Sequence, residues 1–240
     1  MGRFHTVTVK PTVPASKQAS GVFNTGRVVF DWTEFDIPKG ANRLYGLTAL
    51  LRGTNGARQE FAMDYYFAKT INNVAPGSLG VINAGANGTG YQNHLLGHTR
   101  HVATDVSDGL DIMAISDDSI DFYPGILQGE PDSGTNVGYD KIYIAGIAVT
   151  ASLPDFRSAV TCTGVQATTQ ANLICGTTSC LTNFDKGDVL HDENDRALGT
   201  VKSLTNANLM VMEENLANET VNAKDIYNIN PITLKLHFEK

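Results

Sequence analysis

Apolar and polar positions alternate with a period of two along most of this chain, which predicts strands rather than helices. Phe4, Thr6 and Thr8 alternate with His5, Val7 and Val9, and Pro11 and Pro14 close that strand. Val28–Trp32 is a second strand, and Asp36–Gly40 is a turn with proline and glycine placed as turns use them. Leu44–Leu51 is an apolar run stopped at Arg52–Gly56, where Asn55-Gly56 predicts a tight hairpin with Glu60–Lys69 as its return strand. Residues 71–93 are small, polar and turn-rich, the texture of a long loop that is functional or mobile and a natural arm for reaching a neighbour. Turns follow at Tyr123–Gly125 and Glu130–Gly134. Tyr139–Ala151 is apolar on both faces, with Ile142, Ile144, Gly146 and Ala148 on one and Tyr143, Ala145, Ile147 and Val149 on the other. That pattern predicts a strand in the middle of a sheet.

Leu153-Pro154-Asp155 reads as a boundary. Beyond it, short strands recur at 159–163, 171–175, 188–191, 198–204, 208–212 and 232–238, with a hairpin tip at Asp192–Asp195 and a weak helical signal at Ala217–Ile226. The expected fold is all-β: a jelly-roll-like β-sandwich over residues 1–153, followed by a smaller β-barrel or sandwich module over 154–240.

Composition narrows the function. Charged residues are 18% of the chain against about 25% in typical domains, and the net charge is −7. Both halves are acidic, which argues against a nucleic-acid partner, since that needs a cationic face. No apolar run is long enough for a membrane helix, and the N-terminus has no signal-peptide pattern. Met1-Gly2 with Thr6 fits a loose myristoylation pattern, a short motif that an ordinary start also satisfies. Three cysteines and no leader point to synthesis in a reducing cytosol.

Each constellation that could carry chemistry has a plainer reading. His94, His98 and His101 have a spacing that could bind zinc on a helix, but Gly97 and Arg100 interrupt it and no glutamate lies between the first two. Polar histidines on a surface or at a subunit contact are the favoured reading. Asp105, Asp108, Asp111, Asp117, Asp118 and Asp121 are dense but lack calcium-loop spacing, so they read as solvated loop carboxylates. Cys162, Cys175 and Cys180 form an incomplete zinc set and read as buried thiols. There is no nucleophile elbow and no phosphate-binding glycine loop. Trp32 reads as core rather than as a sugar platform. No catalytic residue, cofactor or metal is assigned.

Several segments resemble virion structural proteins of contractile-tailed, T4-like marine cyanophages. They are Arg3-Phe-His-Thr-Val7, Pro14-Ala-Ser-Lys17, Val29-Phe-Asp-Trp32, Phe35-Asp-Ile-Pro-Lys-Gly40, Phe67-Ala-Lys-Thr-Ile-Asn-Asn73 and Pro76-Gly-Ser-Leu-Gly80. Gly187-Asp-Val-Leu190, Leu198-Gly-Thr-Val201, Leu209–Glu213 and Tyr227-Asn-Ile-Asn-Pro231 are similar to a small β-module that recurs in phage head, tail and baseplate proteins. The likeness covers most of the chain and brings no catalytic residue with it. It implies a non-enzymatic particle component, assembled in the host cytoplasm, with a head decoration or cement protein as first expectation. A neck, tail or baseplate subunit, or a host-glycan-binding module, is the alternative. The implied partners are other copies of the chain, with a trimer expected, and the major capsid protein or neighbouring tail proteins. Contacts are expected in the N-terminal arm 1–20 and the 71–101 region, through Phe4, Val7, Ile71, Val74, Leu79, His94, His98 and His101.

Overall fold

The structure, a computed structural model, describes residues 3–38, 40–52, 60–105, 113–119, 126–129, 141–158, 160–176 and 178–240. The Asn55-Gly56 turn, the turns at 123–125 and 130–134, and the side chains of the 105–121 acids lie outside the described residues.

Among the described residues, eight strands build a sandwich: β1 (Phe4–Val9), β2 (Val28–Asp36), β3 (Asn42–Arg52), β4 (Met63–Lys69), β5 (Leu95–His101), β6 (Met113–Ser119), β8 (Lys141–Ala148) and β14 (Ile232–Glu239). A two-residue strand, β7 (Ile126–Leu127), adds to β3. One sheet runs β1-β14-β3-β6 and the other β2-β8-β4-β5. Counted in chain order, the first of the eight pairs with the last, the second with the seventh, the third with the sixth and the fourth with the fifth. That is one long ribbon folded back on itself and then rolled. Rolling adds the β14–β3 and β4–β8 pairings that complete the two sheets. This connectivity is a jelly roll.

The alternation seen in sequence explains the core. Leu44, Leu47, Ala49, Leu51, Leu234, Leu236 and Phe238 from one sheet meet Phe30, Met63, Tyr65, Phe67, Ile142, Ile144 and Ala148 from the other. β8 lies between β2 and β4, the central position its two apolar faces predict. Gly146 leaves the space that Phe30 fills. A Cβ there would sit 2.3 Å from Phe30 Cε1 and 2.9 Å from Met63 Sδ. Gly146→Ala should therefore destabilise the sandwich by about 1–3 kcal/mol. Calorimetry would read this as a Tm loss of about 2–4 °C per kcal/mol, and an unchanged Tm would refute the packing described.

Two expectations are corrected. β3 and β4 do not form a hairpin: the chain crosses from one sheet to the other between them. No helix forms at 217–226, where turns lead into β13 (Ile226–Asn228). Among the described residues an α-helix forms instead at α1 (Ala15–Ala19), which follows Pro14 and escaped the sequence pattern because it is a single turn and a half.

The module does not run to the end of the chain. It holds β9 (Asn172–Ile174), β10 (Val189–Asp192), β11 (Ala197–Asn206), β12 (Leu209–Met212) and β13, in the order β13-β10-β11-β12-β9. Residues 160–163 close the ring. Cys162 N–H donates to Lys224 C=O and Ile226 N–H to Val160 C=O on one side; Thr163 N–H donates to Ile174 C=O and Gly176 N–H to Thr161 C=O on the other. The result is a small barrel around Val160, Leu173, Phe184, Leu190, Leu198, Val201, Met210, Met212 and Ile226. Then 232–239 returns to the sandwich as β14, so the barrel is inserted between the last two jelly-roll strands, and a division into 1–153 and 154–240 separates β14 from its partners. The cause is packing: Ile232, Leu234, Leu236 and Phe238 belong to the sandwich core.

Several bonds tie the modules together. Gln18, buried in α1, donates its amide to the carbonyls of Val13 and Asn228 at 2.7 and 2.8 Å. Val13 N–H donates to Ile229 C=O, Arg52 N–H to Pro231 C=O, and the Arg52 guanidinium to Asp185 at 2.6 Å.

Candidate functional site

The residues expected at contacts fall on three surfaces of the sandwich. The first is the outer face and edge of β1. Phe4 is 67% exposed and sets the edge of its ring against Tyr45, with centroids 5.7 Å apart. Thr6 and Thr8 are exposed beside it. The His237 ring bridges two strands here, with Nδ1 3.1 Å from Thr6 Oγ1 and Nε2 3.0 Å from Thr48 Oγ1. Val7 points the other way and packs against the core, so its side chain does not reach this surface. Strand alternation separates it from Phe4.

The second surface is the long connection from β4 to β5. Residues 71–74 form a tight reversal. Ile71 and Val74 exchange backbone hydrogen bonds of 3.1 and 3.0 Å, and Asn72 and Asn73 adopt φ of 51° and 62°. Val74 stands at its tip, 61% exposed, while Ile71 is half-buried. The rest is not an arm. It is strapped across the outer face of its own sheet, with Val28 N–H donating to Ala84 C=O, Asn83 N–H to Val28 C=O, and Leu79 N–H to the Asp31 carboxylate. Leu79 is buried against Val28 and Ala145 and cannot face a partner. Trp32 lies half-buried under this strap, its indole N–H donated to Gly77 C=O at 2.9 Å and its ring tilted on Tyr91. It is core, but of this outer cluster rather than of the sandwich.

The third is β5, an edge strand that carries two of the histidines. His98 is exposed and stacks on Tyr66 with centroids 5.7 Å apart. Beside that pair, Arg100 clasps Asp64 through two bonds of 2.5 and 2.7 Å, which holds the guanidinium charged more firmly than usual. His101 is fully buried against Phe61 and Tyr65, on the opposite face. His94 precedes the strand, is mostly buried, and donates Nδ1–H to Lys69 C=O at 2.8 Å. The three histidines thus occupy three environments, and only His98 is available to a neighbour. The spacing that suggested proximity holds on a helix; on a strand it sends His98 and His101 to opposite faces.

Charge elsewhere serves the fold. Glu34 on β2 accepts from Lys141 at 2.9 Å and from the Tyr143 hydroxyl at 2.8 Å, and these donors, Lys141 first, hold its pKa down. Asp192, fully buried at the barrel hairpin, accepts from the backbone of Asn194 and Arg196 and from the Arg196 side chain. The acidic tip read from sequence is therefore a hairpin cap. A groove of about 260 Å³ lies at the junction of the modules, lined by Lys10, Arg52, Asp188, Asn230 and Thr233 among others. Burial pushes the Asp188 carboxyl up, and Arg52 beside it pulls it back.

The three thiols sit in the barrel core, and Cys162 lies opposite Cys175 across the closing bridge. Burial pushes all three thiol pKa values up. A thiolate is the nucleophile, so the native protein should resist a thiol reagent at pH 8 and react at all three cysteines only in denaturant. Fast native labelling would contradict this packing.

What sequence reasoning missed is that β1 is, among the described residues, a sheet edge. The signal was present in Phe4–Val9, six residues without charge or proline, but the pattern does not tell an edge from a centre. No protein-family model matches the chain, and no curated protein matches it.

Proposed function

We propose that the chain is a non-enzymatic structural component of a phage particle, and within the particle a decoration or cement protein on the head surface. The observation that supports this most is the architecture. A jelly roll is a fold of capsid and lectin domains alike, and here it carries a closed barrel in its last connection, held by Gln18 and Arg52. Such a body suits holding a shape and presenting fixed surfaces to neighbours. The resemblance to cyanophage virion proteins supplies the particle, and fold-level analogy alone would not. A sugar-binding platform draws no support from Trp32, whose indole N–H is already bonded within the chain.

The test is a quantitative protein count on purified particles separated into heads and tails. Hundreds of copies in the head fraction are expected. A handful in the tail fraction would replace the head assignment with a neck or baseplate one, and absence from particles would overturn the reading.

A further inference from the structure

The two edges of the β2-β8-β4-β5 sheet are defended against added strands in the usual ways. β2 carries Asp31, Glu34 and Asp36 and two register shifts; β5 carries Arg100 and a shift between its pairings with Phe67 and Ala68. β1 has none of these. Its register with β14 is unbroken from Phe4 to Val9, and those six residues include no charge and no proline.

The free hydrogen-bonding groups can be assigned. Arg3 exchanges both backbone bonds with Lys240, at 3.2 and 3.0 Å. In an antiparallel pair such residues alternate, so His5, Val7 and Val9 also face β14. Phe4, Thr6 and Thr8 then direct their N–H and C=O groups away from it, and among the described residues none bonds to them. All three residues are exposed.

We propose that this edge pairs with the same edge of a second copy, antiparallel about a two-fold axis through Thr6. Phe4 then lies opposite the partner's Thr8, Thr6 opposite the partner's Thr6, and Thr8 opposite the partner's Phe4. Every free donor meets a free acceptor, and the two β1-β14-β3-β6 sheets become one. The pairing is also sound electrostatically. No like charges meet along it, because Arg3 and Lys10 are an odd number of residues apart and fall on opposite faces.

A self-complementary contact of this kind closes at two copies, unlike the three-fold assembly the family resemblance implies. It stands whether or not the chain belongs to a particle. The test is the solution mass of the full chain, from micromolar to several hundred micromolar. The expected mass at the upper end is twice the 25.8 kDa of one chain. Thr6→Lys sets two like charges face to face on the axis and should return the mass to that of one chain, with the melting curve kept. Thr6→Cys should form an intermolecular disulfide on mild oxidation, since directly paired residues have Cα atoms about 5.5 Å apart, within disulfide reach. Thr8→Cys should not, because the two copies of Thr8 are separated by several residues along the ribbon. A single-chain mass for the wild type at the highest concentration overturns the proposal. So does a three-chain mass untouched by Thr6→Lys, or equal cross-linking at positions 6 and 8. Should Thr6→Lys fail to fold, the two cysteine variants decide.

Discussion

A chain ending at residue 153 will fail to form the sandwich, whereas residues 155–231 alone will fold. The short chain lacks β14, which lies between β1 and β3 and pairs with both. Without it β1 has no sheet partner, and Leu44, Leu47 and Val9 lose the side chains that cover them. Ile232, Leu234, Leu236 and Phe238 are each fully buried. At about 1.5–3 kcal/mol per large apolar side chain, their loss removes roughly 6–12 kcal/mol. A native domain has only about 5–15 kcal/mol in total, so the remainder cannot hold. The barrel keeps its whole core and its closing segment in the excised piece, and it should melt cooperatively. Circular dichroism and calorimetry on the two fragments check this. A soluble 1–153 fragment with a cooperative transition would refute the dependence on β14.

Gly88→Ala should detach the strap that covers Trp32. Residues 77–79 and 87–90 cross there, with Gly77 N–H donating to Gly90 C=O and Gly88 N–H to Leu79 C=O. A Cβ on Gly88 would lie 1.7 Å from the Ser78 carbonyl oxygen and 2.7 Å from its carbon. These are backbone atoms within a bonded crossing, so no side-chain rotation relieves the clash. The expected cost is about 3 kcal/mol, the upper end for overpacking, or a Tm fall of roughly 6–12 °C. The single tryptophan provides a local readout, because its emission should shift to the red as the strap lifts and water reaches the ring. Gly85→Ala is the control: nothing lies within 4 Å of its Cβ position, and it should cost a few tenths of a kcal/mol. Equal effects at 85 and 88 would refute the crossing.

Much of this arrangement was legible in the order of residues. The two apolar faces of Tyr139–Ala151 identified the central strand β8, the alternation at 232–238 identified β14, and Asp192–Asp195 marked the hairpin tip. Which of the candidate residues reach the surface was legible only in part. Phe4, Val74 and His98 stand exposed, while Val7, Leu79, His94 and His101 turn into their own chain. For Leu79 the reason is the strap: a polar, glycine-rich segment looks alike whether it reaches outward or lies on its own sheet. The Asp31 carboxylate, the Trp32 indole and the Val28 backbone, all distant in sequence, bind it down.

The amino-acid sequence by itself determined the class of element, its approximate limits and which side chains share a face. A period of two is a local property of each strand. Tertiary structure alone decided partnership. β3 and β4 part to opposite sheets, β14 returns past an inserted barrel to lie between β1 and β3, and β1 is left as an edge. Every residue other than proline offers the same backbone donor and acceptor, so hydrogen bonding cannot choose among strands of like pattern. The choice falls to which inner faces fill one another's space, and that depends on residues as far apart as Val9 and Leu234.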